Sequence, residues 1–245
     1  MIQEELISIS EAANILGVSI DTLRRWDQSG KLTSTKSEGG HRKYYKSQLE
    51  LYLNDLFSLA KDWVLRGAEV PEKLYCVNSA VFQTRLVQLQ DFLMNIKELA
   101  PIFPLVVAVA GEIGNNSFDH NLGNWPDTPG TFFAHDIHKK TVVLADRGLG
   151  ILTTLKRVKP ELNTDEAALR VAFTEVLSGR APESRGNGLK FVRKIVAENS
   201  IGLWFQTGAA ELMLHKDSER LNIKPSLKPF RGCLALITFW ISLWK

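Results

Sequence analysis

Cysteine is nearly absent from this 245-residue chain: Cys76 and Cys233 are its only two, and their separation matches no metal-ligand or redox spacing. That excludes a disulfide-dense secreted scaffold and makes a reducing cytoplasm the expected setting. Long apolar runs are also missing. The longest, Cys233 to Trp244, is interrupted by Thr238 and Ser242 and is too short to span a bilayer. It reads as a buried strand, with a partner- or membrane-contacting tail as the alternative. Met1 to Glu5 lacks the basic and apolar regions of a signal peptide, so no membrane association is expected. A strong charge imbalance is lacking as well: the net charge is +3, so any nucleic-acid contact must rest on a local cluster. No Gly-x-x-x-x-Gly-Lys-Ser/Thr occurs, which removes a P-loop from consideration. No internal repeat or low-complexity tract is apparent. What remains is 44% hydrophobic, enough to bury a sizeable core, on a chain with room for more than one domain.

Ser10 is positioned to cap a helix from Glu11 to Leu16, Gly17-Val18 breaks it, and Ser19 caps a second helix reaching about Ser29. Ile9, Ala12, Ala13, Ile15, Leu16, Val18, Leu23 and Trp26 supply the core between the two, leaving Ser19, Asp21, Thr22, Arg24 and Arg25 on the outer face of the second. After Gly30, the stretches Lys31 to Thr35 and Gly39 to Tyr45 read as a hairpin wing, and a third helix begins near Ser47. Residues 22–46 hold seven basic side chains, Arg24, Arg25, Lys31, Lys36, Arg42, Lys43 and Lys46, against Asp27 and Glu38. Such a patch displaces counterions from a phosphate backbone and makes binding salt-dependent.

Leu49, Leu53, Leu56, Ala60 and Trp63 recur three and four apart, as do Phe82, Leu86, Leu89, Leu93, Ile96 and Ala100. Two helices are expected, separated by a linker at Gly67 to Lys73. Either could pair with a second subunit; alternatively the second packs on the sheet of its own domain.

Three motifs follow in order: Glu112-x-x-x-Asn116, Asp146-x-Gly148-x-Gly150 and Gly186-x-Gly188-Leu189. Four-residue spacing puts Glu112 and Asn116 on one helix face, a carboxylate to activate a nucleophile beside a carboxamide to hold Mg²⁺. Asp146 ends an apolar strand, Thr141 to Ala145, and the two glycines after it allow backbone to approach a ligand. The third motif opens a helix from Leu189 to Glu198, whose free N–H groups favour phosphate. Asp119 and His120 extend the first helix, and His120 either faces the phosphates or is simply packed. Residues 215–231, with Pro225 and Pro229 among basic side chains, read as a solvated loop or as an auxiliary phosphate-backbone contact.

Residues 6–53 resemble the winged helix-turn-helix of the excisionase and MerR group, carried by Ile9 to Ala13, Leu16 to Ser19, Thr22 to Trp26, Gly30 to Leu32 and Gly39 to Tyr44. The resemblance implies that Thr22, Arg24 and Arg25 face DNA, while His41, Arg42 and Lys43 lie on a wing near the minor groove or backbone, with Lys36 in the same basic patch. A small helical interaction domain with a solvated basic face is the plainer alternative.

From about residue 75 the three motifs resemble the Bergerat-type ATP site of the GHKL superfamily. By that resemblance Asn116 coordinates Mg²⁺, Asp146 accepts from the adenine amino group, Gly148 and Gly150 line the base and ribose, and Gly186, Gly188 and Leu189 close the triphosphate side. Arg180, Ser184 and Arg185 fall in the lid before them. Glu112 stands where the hydrolases and serine kinases of the superfamily have a general base. A histidine autokinase would need a phosphoacceptor upstream, and residues 42–119 contain no histidine.

The expected fold is α+β. A winged helix-turn-helix over residues 1–57 and a helical connector over 58–74 precede a GHKL-type two-layer sandwich with a mixed sheet over 75–245. The expected function is an ATP- and Mg²⁺-responsive, homodimeric regulator of double-stranded DNA. The alternatives are an anti-sigma-factor-type protein Ser/Thr kinase and a nucleotide-gated module that sequesters a protein encoded nearby.

Overall fold

Strand β1 (Leu6–Ser8) leads straight into α1 (Ile9–Leu16), and the junction is held by a reciprocal cap. The Ser8 N–H donates to the Glu11 carboxylate at 2.8 Å and the Glu11 N–H donates back to Ser8 Oγ at 3.2 Å. The capping residue is therefore Ser8, two positions before the Ser10 that the sequence suggested, because Glu11 lies three residues on and can close the box. Helix α2 (Ile20–Gln28) starts on Ser19, whose hydroxyl accepts from the Thr22 N–H, as the sequence indicated. Strands β2 (Thr35–Lys36) and β3 (Arg42–Tyr45) form the wing, and β1 adds to it in the antiparallel order β1-β3-β2. Ile7, Ala12, Ala13, Leu16, Leu23, Trp26, Leu32, Tyr44 and Leu49 close a core of their own between helices and wing. This computed structural model describes residues 5–16, 19–30, 32–37, 39–46, 48–49, 55–175, 188–218 and 220–240. Most of the helix expected from Ser47 lies outside the described residues.

Helix α3 (Leu56–Arg66) begins on an Asp55 cap and ends at Gly67. After it come β4 (Tyr75–Cys76), α4 (Ser79–Met94), α5 (Phe103–Asn121), β5 (Thr131–Asp136) and β6 (Thr141–Asp146). The short α6 (Ile151–Leu155), then α7 (Asp165–Thr174), α8 (Gly188–Glu198), β7 (Ile201–Leu214) and β8 (Asn222–Phe239) complete the chain.

The second sheet has the order β4-β5-β6-β8-β7. All four of its pairings are antiparallel, so the α+β class is borne out while the expected mixed sheet is replaced by an antiparallel one. Alternation along the strands divides the sheet between two cores. Phe133, Val142, Leu144, Ala235 and Ile237 face α4, α5, α7 and α8, whereas Phe132, Ala134, Val143, Ala145 and Leu234 face α3. Helix α3 is thus a partial third layer clamped by Leu59, Ala60, Trp63 and Val64, and the connector is part of the C-terminal unit. The α4 stripe, Phe82, Leu86, Leu89 and Leu93, is buried in that unit's core, which settles its use: it packs on its own domain.

Residues 222–231, expected as part of a loop, belong to β8. Among the described residues they pair only with β7, across a register shift near Gly208, so their outer edge lies beyond β6 and tolerates prolines and lysines. Among the described residues no helix is long and apolar enough to cross a membrane.

Candidate functional site

Basic residues of α2 and the wing share one domain but not one environment. Arg24 is exposed and pairs with Asp21 at 2.8 Å. Arg42 is half-buried and its Nε donates to Asp27 at 2.7 Å, while Asp27 also accepts from the Ser34 N–H at 2.7 Å. Burial alone would raise the Asp27 carboxyl, but the Arg42 and Ser34 hydrogen bonds outweigh it and hold it below the usual range. Asp27 thereby ties the wing to α2, a role that its place among the basic residues did not advertise. Lys36 and His41 are exposed and Lys43 partly so, available to a ligand along the wing. Thr22 differs from its expected place on the outer face. Only 1% of it is exposed, because its hydroxyl is engaged by Ser19 and by Glu69 from beyond α3. Arg25 is exposed but also engaged, donating to Glu69 at 2.5 Å.

The described residues of the three glycine- and carboxylate-bearing motifs meet in the C-terminal unit. Helix α5 presents Ile113, Asn116, Ser117 and His120 to a pocket, β6 delivers Asp146, the following turn delivers Gly150 and Ile151, and α8 begins at its rim with Gly188 and Leu189. Phe205 and Cys233 form its sheet side. The free space of about 780 Å³ around these residues includes open solvent at the mouth.

Asp146 is the pocket's buried carboxyl, 2% exposed. It accepts from the Gly148 N–H at 2.8 Å through one oxygen and from Ser117 Oγ at 2.8 Å through the other. Burial raises its pKa above the ordinary carboxylate value, opposed by those two donors and by Cys233. The same burial, with Asp146 beside it, pushes the Cys233 thiol far up and keeps it protonated.

Gly148 is required for close approach: a Cβ there would lie 2.1 Å from Asn121 Nδ2. Asn121, buried on the last turn of α5, accepts from the Leu149 N–H at 2.8 Å and donates to the Ser117 carbonyl, pinning the glycine turn to the helix. On the far side Thr207 accepts from the Ile151 N–H at 3.1 Å and donates to the Gly232 carbonyl at 3.0 Å, which fixes the start of α6 to β7 and β8. Ser117, Asn121 and Thr207 went unrecognised in the sequence. An Asn or Ser on a helix carries no signal until its partner strand is known, although Asn121 falls five residues after Asn116 on the same helix.

Glu112 and Asn116 meet the third motif directly. A Cβ on Gly188 would stand 2.5 Å from Glu112 Oε2 and 3.5 Å from Asn116 Nδ2. The carboxylate therefore abuts the first described residue of α8. His120 has a buried Nδ1 with no hydrogen-bond partner among the described residues. Burial, with Arg157 assisting, lowers its pKa and keeps the ring neutral beside the pocket. Arg180, Ser184, Arg185 and Gly186 lie outside the described residues.

Among the described residues no group of three or more His, Cys, Asp and Glu is arranged to hold a metal. Asn116, with Glu112 one turn away, suits a Mg²⁺ that takes most of its oxygens from phosphates and water.

Comparison with known proteins bears on the other end of the chain. Residues 8–44 match the model described as "MerR family regulatory protein". The type II methyltransferase M.Eco47II of Escherichia coli is 47% identical over 64 residues, 26% of this chain, and the match spans only 15% of that protein's length. The N-terminal unit is thus a MerR-type helix-turn-helix DNA-binding domain.

Proposed function

With a MerR-type reading head as the premise, we propose that the chain is an ATP-responsive DNA-binding regulator whose C-terminal unit is a GHKL-type nucleotide module. The observation that carries the nucleotide reading is the convergence on one pocket of Asn116, Asp146 with Gly150, and Gly188 with Leu189, from three motifs well separated in sequence. A shared pocket lined by the buried Asp146 carboxyl and by Gly188 and Leu189 of α8 suits a ligand with an amino-bearing base and an anionic tail.

In this reading Asp146 accepts a hydrogen bond from the adenine amino group, its carboxyl already oriented by Ser117 and the Gly148 N–H. Asn121 and Thr207 hold the turns that border the base. Apolar Ile113, Ile151 and Phe205 remove the base from water. The start of α8 receives the phosphates, and Asn116 holds the Mg²⁺ that accompanies them. Bound Mg²⁺ neutralises phosphate charge and polarises the terminal phosphoryl group. Glu112, which does not line the pocket but lies beside Gly188, would take a proton from water or from a protein hydroxyl.

Purified full-length protein tests the division of labour. Arg25→Ala is expected to weaken binding to duplex DNA and leave ATP affinity intact; Asn116→Ala is expected to do the reverse. Equal loss of both activities in both variants would contradict two separable sites. The placement of Glu112 supports a second reading, protein Ser/Thr phosphorylation. Incubation with γ-labelled ATP separates the two. Free phosphate lost in Glu112→Gln indicates hydrolysis, and label on a protein encoded nearby indicates a kinase.

A further inference from the structure

Glu69 connects the two halves of the molecule at the face on which DNA binding would depend. It lies two residues past Gly67, the left-handed cap that ends α3. Its carboxylate receives two donors from α2, the Thr22 hydroxyl and the Arg25 guanidinium, the latter at 2.5 Å. Those donors hold the Glu69 carboxyl below the ordinary range, the Thr22 hydroxyl foremost and against the opposing effect of partial burial. A carboxylate gripped by a hydroxyl and a guanidinium presents the same chemistry as a backbone phosphate on a recognition helix. One ligand therefore excludes the other.

The base of this contact is anchored next to the pocket. Arg147 directly follows Asp146 but turns to the opposite face of the sheet. Its guanidinium lies over the Trp63 ring at 5.7 Å and bridges to Asp127 at 2.5 Å. It also packs on Gly67, where a Cβ would come within 3.3 Å of it. The turn that carries Asp146 into the pocket thus shares Arg147 with the segment that delivers Glu69.

We propose that Glu69 is a built-in competitor of DNA phosphate that masks Thr22 and Arg25, and that the Asp146-Arg147 turn governs its release. The first half rests on the reading of α2 as the DNA-facing helix, and the second on the reading of the pocket as a nucleotide site. Neutralising Glu69 removes an exposed ion pair and a negative charge from the path of the phosphates. The isolated pair is worth roughly a two- to fivefold change in an equilibrium, and the effect shrinks as salt screens it.

The test is the affinity of the full chain for a labelled mixed-sequence duplex, followed by fluorescence anisotropy at low and moderate salt, with and without Mg-ATP. Glu69→Gln without nucleotide is expected to bind about two- to fivefold more tightly than the wild type. Its advantage is expected to vanish when Arg25→Ala is added, because nothing is then left to unmask. Equal or weaker binding by both Glu69→Gln and Glu69→Ala overturns the competitor. No loss of DNA affinity in Arg25→Ala overturns it as well, by removing α2 from the interface. With the competitor established, Mg-ATP is expected to tighten the wild type and leave Glu69→Gln nearly unchanged. Equal responses of the two to Mg-ATP overturn the control by the turn. If neither responds, the competitor stands and the nucleotide reading falls.

Discussion

Asp146→Asn separates the chemical role of the pocket carboxyl from its structural one. The substitution is nearly isosteric. The carboxamide oxygen keeps the Gly148 N–H as donor, and the amide donates to Ser117 Oγ, whose hydroxyl rotates to accept. Cys233 also donates to this carboxyl, and its contact is weakened in the variant at a cost that does not depend on pH. The base-recognition contact is another matter, since a hydrogen bond to a charged acceptor is worth about 1.5–3 kcal/mol. At about 1.4 kcal/mol per factor of ten, ATP affinity measured by calorimetry should fall roughly 10- to 150-fold. Stability carries a second signature. Burial raises the Asp146 carboxyl, so the folded state favours its protonated form. That contribution is fully present below the ordinary carboxylate range and is lost as pH rises through the folded-state value. The variant does not titrate there. Relative to the wild type, its melting temperature should rise increasingly from acid toward neutral pH. Unchanged ATP affinity would refute base recognition by Asp146, and a stability difference that does not change with pH would refute the burial argument.

Two further substitutions probe the scaffold. Trp63→Ala removes the 4%-exposed ring that clamps α3 to the sheet and carries the Arg147 guanidinium. It should cost about 3–5 kcal/mol, read as a lower midpoint in chemical denaturation; a loss within 1 kcal/mol (roughly the effect of a surface change) would contradict the third layer. Gly148→Ala places a methyl group 2.1 Å from the Asn121 amide that pins the glycine turn. The overpacking should cost about 1–3 kcal/mol and weaken ATP binding as well. A variant with normal stability and affinity would show that the turn is not held as described.

The features legible in the sequence were those made locally. Ser19 before α2, the apolar stripe of α4, the strand ending at Asp146 and the four-residue spacing of Glu112 and Asn116 each depend on neighbours in the chain. The cap, the strand end and the Glu112–Asn116 spacing appear in the structure at their expected places, whereas α4 ends at Met94 and its stripe stops short of Ile96 and Ala100. The order of the glycine motifs also led to a pocket, because glycine marks close backbone approach wherever the partner comes from. Long-range partners were not legible. Glu69 reads as an ordinary linker carboxylate until Thr22 and Arg25 are seen against it. Ser117, Asn121 and Thr207 acquire roles only when β6, β7 and β8 pass beside α5. Pro225 and Pro229 suggested a loop, whereas β8 runs through them, since on that stretch it pairs only with β7. The both-sided burial of β6 was written in its unbroken run Val142 to Ala145, but the helix covering the second face, α3, read as a connector.

The central claim is that nucleotide in the C-terminal pocket alters DNA binding by the N-terminal domain. The most direct measurement is the dissociation constant of the full chain for duplex DNA with and without saturating Mg-ATP, at fixed salt, beside the Asn116→Ala variant. Typical coupling of about 1–3 kcal/mol corresponds to roughly a 5- to 150-fold shift, and the account predicts a shift of that size in the wild type and none in the variant. Identical DNA affinity in both conditions, with ATP binding independently verified by calorimetry, would contradict it.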